Sequence, residues 1–196
     1  MRVHVVFAHP RTDSFNAAIH QTILAALRHA GHEVDDLDLY AEQFQPALTA
    51  AERGAYHDVG HNLAGIETYV ERLRAAEALV IAAPTWWYGM PAILKGYFDR
   101  VWAPGVAFFL HGHGGAITAG LTNIRKYAVV TTTGSPWWFM RLYMRDPGRM
   151  VLTRGMRRLF APDVAMTYLC HYGTDVSTLA RRRRFIERVG KTFARF

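Results

Sequence analysis

The chain has 196 residues, 51% hydrophobic and 20% charged, with a formal net charge of +7. A length of this order favours a single domain spanning 1–196, which buries roughly 70% of the surface its unfolded chain exposes and needs no staple. The single cysteine, Cys170, excludes an intramolecular disulfide. The first apolar run is too short for a signal peptide, and no run of about 18 apolar residues offers a membrane span, so a cytoplasmic protein is expected.

In chain order, Arg2 to Ala8 reads as a buried strand. Ser14 then offers an N-cap to a helix with Ile19, Ile23, Leu24 and Leu27 at helical spacing, which Gly31 stops. Glu33 to Leu39 is a second strand, polar enough for an edge, and residues 41–65 are less regular. A helix over about Ile66 to Ala76 precedes Ala78 to Ala83, an almost wholly apolar strand of the kind covered on both faces in parallel sheets. Pro84 ends that strand and Pro91 opens the next helix, through about Val101. Lys126 to Thr133 and Val164 to Cys170 are the fourth and fifth strands, and a last helix runs from about Asp175 to Ala194. This alternation predicts an α/β sandwich of three layers around a five-stranded parallel sheet. The order 2-1-3-4-5 suits it, with ligands beyond the carboxyl ends of the strands at the switch point beside strand 1.

Three loops therefore carry the chemistry. The first, Ala8 to Asn16, leaves a strand and enters a helix, whose N-terminus favours a phosphate; His9, Arg11, Thr12 and Ser14 add donors. It has neither a Gly-x-Gly-x-x-Gly turn nor a Walker lysine. The second, Pro84 to Ala92, places Trp86, Trp87 and Tyr88 between two prolines. Consecutive aromatics point in different directions, so they suit a planar ligand or a subunit interface. The third, Thr131 to Phe139, offers the N–H groups around Thr133 to Ser135 to an anionic ring edge, with Trp137 and Trp138 following.

Ala8-His9-Pro10 with Ser14-Phe15-Asn16, followed by Pro84-x-x-Trp87-x-Gly89-x-Pro91-Ala92-Ile93-Leu94-Lys95-Gly96, resembles the NAD(P)H:quinone oxidoreductase (DT-diaphorase-like) family of flavodoxin-like flavoproteins. The resemblance covers about the first 135 residues. It implies a bound flavin, FAD or FMN, with NAD(P)H as co-substrate. His9, Arg11, Thr12, Ser14, Phe15 and Asn16 would surround its phosphate and ribityl chain. Pro84, Thr85, Trp86, Trp87 and Tyr88 would line the ring edge, and Thr132, Thr133, Gly134 and Ser135 its pyrimidine side. It also implies a homodimer with the site at the interface, and two-electron ping-pong transfer to a quinone, azo or nitro compound.

The family's Tyr-His pair after the third loop is not matched, since no histidine lies between Gly134 and Cys170. Tyr143 is an out-of-register stand-in, so the catalytic candidates are Trp87, Tyr88 and Tyr143. Gly96 is read as a close-packing position. The same motifs occur in flavin-containing ancillary subunits of potassium efflux transporters, which is the alternative reading. Charge alone would also admit nucleic-acid binding, but the basic residues do not interleave with aromatics along a strand face, and none is expected. His57, His61, His111 and His113 match no metal-binding spacing, so no metal is expected.

Overall fold

The computed structural model describes residues 1–111 and 117–196. His113 and the glycines of the His111–Gly115 loop lie outside the described residues. The elements are β1 (Arg2–Phe7), α1 (Phe15–His29), β2 (Glu33–Asp38), α2 (Ala50–Ala55), α3 (Glu67–Ala75), β3 (Ala78–Pro84), α4 (Ala92–Val101), β4 (Phe108–Leu110), β5 (Ile117–Ala119), β6 (Lys126–Thr133), α5 (Pro147–Met150), β7 (Ala165–Tyr172) and α6 (Leu179–Phe193). One five-stranded sheet runs β2-β1-β3-β6-β7, every pair parallel. Counting these five alone, the order is the expected 2-1-3-4-5.

The period-2 pattern of the strands builds two cores. Val3, Val5 and Phe7 of β1 and Ala78, Val80 and Ala82 of β3 meet Ile23 and Leu27 of α1 and Phe185 and Val189 of α6. Val6, Leu79, Ile81 and Val129 meet Val70 and Leu73 of α3 and Leu94 and Tyr97 of α4 on the other face. Burying each large aliphatic side chain contributes roughly 1.5–3 kcal/mol. The close approach at Gly96 is steric: a Cβ there would lie 2.1 Å from the Pro46 carbonyl oxygen.

The polar character of β2 has a structural origin beyond its edge position. His4, fully buried on β1, places Nδ1 2.7 Å from Asp35 and Nε2 3.2 Å from the Tyr97 hydroxyl. Arg72 of α3 donates to Asp35 at 3.0 Å and to Glu42 at 2.7 Å. Desolvation pushes the Asp35 carboxyl up, but the hydrogen bonds from His4 and Arg72 together outweigh it and hold the group well below the usual carboxylate range. On the opposite face His20 stacks on Phe7, centroids 4.2 Å apart, and lies 2.7 Å from Asp36.

Three elements differ from the sequence expectation. The irregular stretch contains α2, started by a capping box between Thr49 and Glu52. A short antiparallel hairpin, β4–β5, follows α4. The last helix does not begin at Asp175: α6 starts at Leu179 with Thr178 as its N-cap, and Asp175 lies in a 3₁₀ turn, Thr174–Val176, entered through Gly173 at φ 69°. Strand β7 correspondingly runs on to Tyr172.

Candidate functional site

The three loops come together at the carboxyl edge of β1, β3 and β6. Ser14 caps α1 by accepting from the Ala17 N–H at 3.0 Å. Among the described residues, the Phe15 and Asn16 N–H groups ahead of it have no backbone acceptor. That is an anion site in waiting, with the helix dipole behind it. The Asn16 amide donates to Thr132 Oγ1 at 3.1 Å, tying the first loop to the third, and the Thr85 and Thr131 hydroxyls, 3.0 Å apart, tie the second to β6.

The second loop is a tight turn. Trp86 N–H donates to the Gly89 carbonyl at 3.1 Å and Gly89 N–H to the Trp86 carbonyl at 3.0 Å. Both central residues are left-handed, Trp87 at φ 50° and Tyr88 at φ 63°. Such turns normally take Asn-Gly, because a Cβ at positive φ is strained by roughly 1–2 kcal/mol per residue. Here the strain holds out a tryptophan that is 95% exposed, and strain of this kind clusters at ligand sites. Trp86 leans over His9, centroids 5.9 Å apart.

Between the loops lies a cleft in two adjoining parts. The first, about 370 Å³, is lined by His9, Asn16, Pro84, Thr85, Trp86, Trp87, Thr132, Thr133, Gly134, Thr174 and Asp175. The second, about 340 Å³, adds Tyr88 and Ser135. The N–H groups of Trp87, Tyr88 and Gly134 have no backbone acceptor among the described residues, so the cleft is edged with free donors. Gly134 leaves room for the Asp175 carboxylate: a Cβ there would lie 2.2 Å from Asp175 Oδ2, so any larger residue would push that side chain aside.

The other predicted positions surround this cleft rather than line it. Thr12 and Ser14 lie in the turn before α1, and the Phe15 ring packs edge-on to His171, centroids 5.1 Å apart. The Arg11 guanidinium is held by Asp13 at 2.8 Å, which raises its pKa and lowers that of Asp13. Tyr143 sits on a wide π-type turn, Phe139–Tyr143, 74% exposed and stacked on Phe139.

The sequence reading missed three features. Asp175 faces the cleft; the glycine at 173 and the second capping threonine at 178 are the signals that place it outside the helix. A second pocket of about 370 Å³ lies beside the cleft between Trp137, His171, Tyr172, Arg181, Arg184 and Arg188. Burial, and then Arg181 and Arg182, lower the His171 pKa, while burial pushes the Cys170 thiol up to about 12, leaving it inert. Third, the Tyr172 hydroxyl donates to Asp146 Oδ2 at 3.1 Å, with Arg141 3.9 Å from the same oxygen. Asp146 is buried and left-handed at φ 49°, and desolvation, opposed by Tyr172 and Arg141, raises its pKa.

The profile of a protein family described as having a flavodoxin-like fold matches residues 1–161. The chain is 35% identical over 108 residues, 55% of each sequence, to an uncharacterized NAD(P)H oxidoreductase of Escherichia coli. It is 32% identical over 123 residues, 55% of this chain and 45% of the relative, to NAD(P)H dehydrogenase [quinone] 1 of Rattus norvegicus. The chain spans about half the length of these curated relatives. The NAD(P)H:quinone oxidoreductase from Methanothermobacter marburgensis superposes with a TM-score of 0.82 at 26% identity, covering 99% of this chain and 96% of that one. An FMN-dependent NADH-azoreductase from Bacillus anthracis in complex with FMN shares the fold at 16% identity and a TM-score of 0.80, covering 99% of this chain and 98% of that one. Sheet order, converging loops and these matches agree: the chain belongs to the family of flavodoxin-like fold, with NAD(P)H:quinone oxidoreductases among its relatives.

Proposed function

We propose that the protein is a flavin-dependent NAD(P)H oxidoreductase that passes two electrons, by a ping-pong route, to a quinone or a similar azo or nitro acceptor. The observation that carries this reading is the single cleft formed by three loops far apart in sequence and edged with unpaired backbone donors. The donor set suits a flavin: an anion site at one end, a wall of tryptophan and tyrosine, and free N–H groups facing a ring edge. The names of the relatives point the same way.

A bound flavin would supply the two-electron redox chemistry between nicotinamide and the second substrate. The chain's own residues do the positioning. The Phe15 and Asn16 N–H groups, with Thr12 and Ser14, hold the phosphate. Trp86, Trp87 and Tyr88 form the platform on which nicotinamide and acceptor stack in turn. The free Gly134 N–H, and the Ser135 N–H that donates weakly to Thr133 Oγ1 at 3.4 Å, would favour negative charge at the edge of a bound ring. The arginine pocket beside Phe15 offers a second phosphate its counter-charges, which favours FAD over FMN. The site residues are those named from the sequence, with Asp175 added, and the functional unit is a homodimer of single-domain chains.

The test is direct. Purified protein should be yellow, release one flavin per chain, and oxidise NADH or NADPH when a quinone is added, with parallel-line kinetics. Colourless protein that takes up neither FAD nor FMN rejects the reading. Flavin binding without turnover would leave the regulatory-subunit alternative in its place.

A further inference from the structure

The cleft is edged with backbone donors, and one carboxylate stands among the residues that line it. Asp175 belongs to both of its parts: it shares the first with His9 and Asn16, at the anion end, and the second with Tyr88 and Ser135, at the ring end. Its carboxylate therefore marks the junction between them. The backbone fixes that place. Gly173, at φ 69°, turns the chain out of β7, and its N–H donates to the Ser135 carbonyl at 2.9 Å, tying the 3₁₀ turn Thr174–Val176 to the third loop. The Ser177 hydroxyl, 2.8 Å from His171 Nε2, holds the far side of the turn. Gly134, lacking a side chain, leaves the space beside which Oδ2 lies.

The carboxylate is exposed, and among the described residues no ion pair or side-chain hydrogen bond ends on it. Two arginines of α6 pass it by: Arg181 donates to the Tyr172 carbonyl at 3.4 Å and Arg182 to the Thr174 carbonyl at 3.0 Å. An ionised carboxylate accepts hydrogen bonds and cannot donate them. Facing a ligand, it calls for donors and repels anionic atoms, the reverse of the free N–H groups around it. We infer that Asp175 holds the hydroxyl groups of a polyol chain that joins the anionic end of the ligand to its ring. The inference rests on the flavin reading and names the residue that recognises the ribityl chain. A flavin ring has an N–H of its own, but a carboxylate reserved for it would line the ring end alone.

The experiment compares riboflavin, which carries the ribityl chain, with lumiflavin, which carries a methyl group in its place. Flavin-free wild type, D175A and D175N are titrated with riboflavin by fluorescence quenching, and lumiflavin is measured by its displacement of riboflavin. Wild type should bind riboflavin about tenfold more tightly than lumiflavin, and D175A should lose about tenfold for riboflavin while holding lumiflavin within about twofold. D175N keeps an uncharged acceptor and should lose only about threefold. Circular dichroism should be the same for all three. Equal weakening of both flavins in D175A overturns the inference, because the carboxylate then acts on the ring or on the fold. So does a D175A protein that binds riboflavin as the wild type does, including one in which only the KM for NADH rises. Wild type that binds neither flavin rejects the flavin reading itself, an outcome distinct from either of these.

Discussion

Trp87 carries backbone strain without burial to balance it, with φ 50° and 95% exposure. A residue selected for stability alone would be glycine there. W87G should therefore raise the stability of the flavin-free protein by about 1 kcal/mol while weakening flavin binding, read as a higher melting temperature without flavin and a smaller rise with it. If the variant gains stability and binds flavin as well as the wild type, the turn has no part in the site. Asp146 presents the reverse problem. Burial raises its carboxyl pKa, so the folded state holds that proton more tightly than the unfolded one, and stability is lost as pH rises above about 3.9. D146N keeps an acceptor for Tyr172 and tolerates positive φ, so at neutral pH it should be as stable as the wild type or about 1 kcal/mol more stable. Y172F leaves the buried carboxylate without its donor and should cost about 1 kcal/mol in a denaturant titration. The sequence named Trp87 because three adjacent aromatics cannot share one core. It could not name Asp146 and Tyr172, because their pairing depends on a left-handed turn at Arg145, φ 56°, and Asp146, φ 49°, with no glycine to announce it.

Among the elements, β1, β2 and α3 are joined by a polar network inside an otherwise apolar layer. The depressed Asp35 carboxyl contributes stability that is fully present above its unfolded pKa of about 3.9 and is lost as pH falls through the lower folded value. D35N should cost about 2–3 kcal/mol at pH 7, and the gap to the wild type should narrow below about pH 4, measured by urea unfolding across pH. A gap independent of pH would mean that the network works by shape alone. The contact between α4 and the Pro46 segment is steric: G96A drives a methyl into the Pro46 backbone and should cost about 3 kcal/mol, a fall of roughly 6–12 °C in melting temperature. Elements with a continuous apolar run, such as Ala78–Pro84, or a period-3.6 apolar stripe, such as Phe15–His29, were legible from their side chains alone. Helix α2 was not, since none of its residues is buried and the capping box at Thr49 and Glu52 is its main signal. The three residues each of β4 and β5 were too short to show a period. The start of α6 was misplaced because the residues just before Leu179 carry no apolar stripe to mark it, while the cap at Thr178 depends on one hydroxyl.

At the level of the whole molecule, the cleft was legible because the parallel sheet order dictates it. Once strands 1, 3 and 4 of the sheet are adjacent, the loops at their carboxyl ends must meet. The arginine pocket was not legible, because it needs α6 laid beside the end of β7, and charge in sequence says only that a helix face is basic. Because the three loops are held by the Asn16–Thr132 and Thr85–Thr131 contacts before any ligand arrives, binding should need little rearrangement. Flavin at about 100 times its dissociation constant should then add about 2.7 kcal/mol to folding stability. The most direct measurement is a fluorescence titration of FAD and FMN with flavin-free protein, wild type beside N16A. The account predicts saturable quenching at one flavin per chain, with affinity about tenfold weaker in N16A. Flavin fluorescence that stays unquenched by excess folded wild-type protein would contradict it.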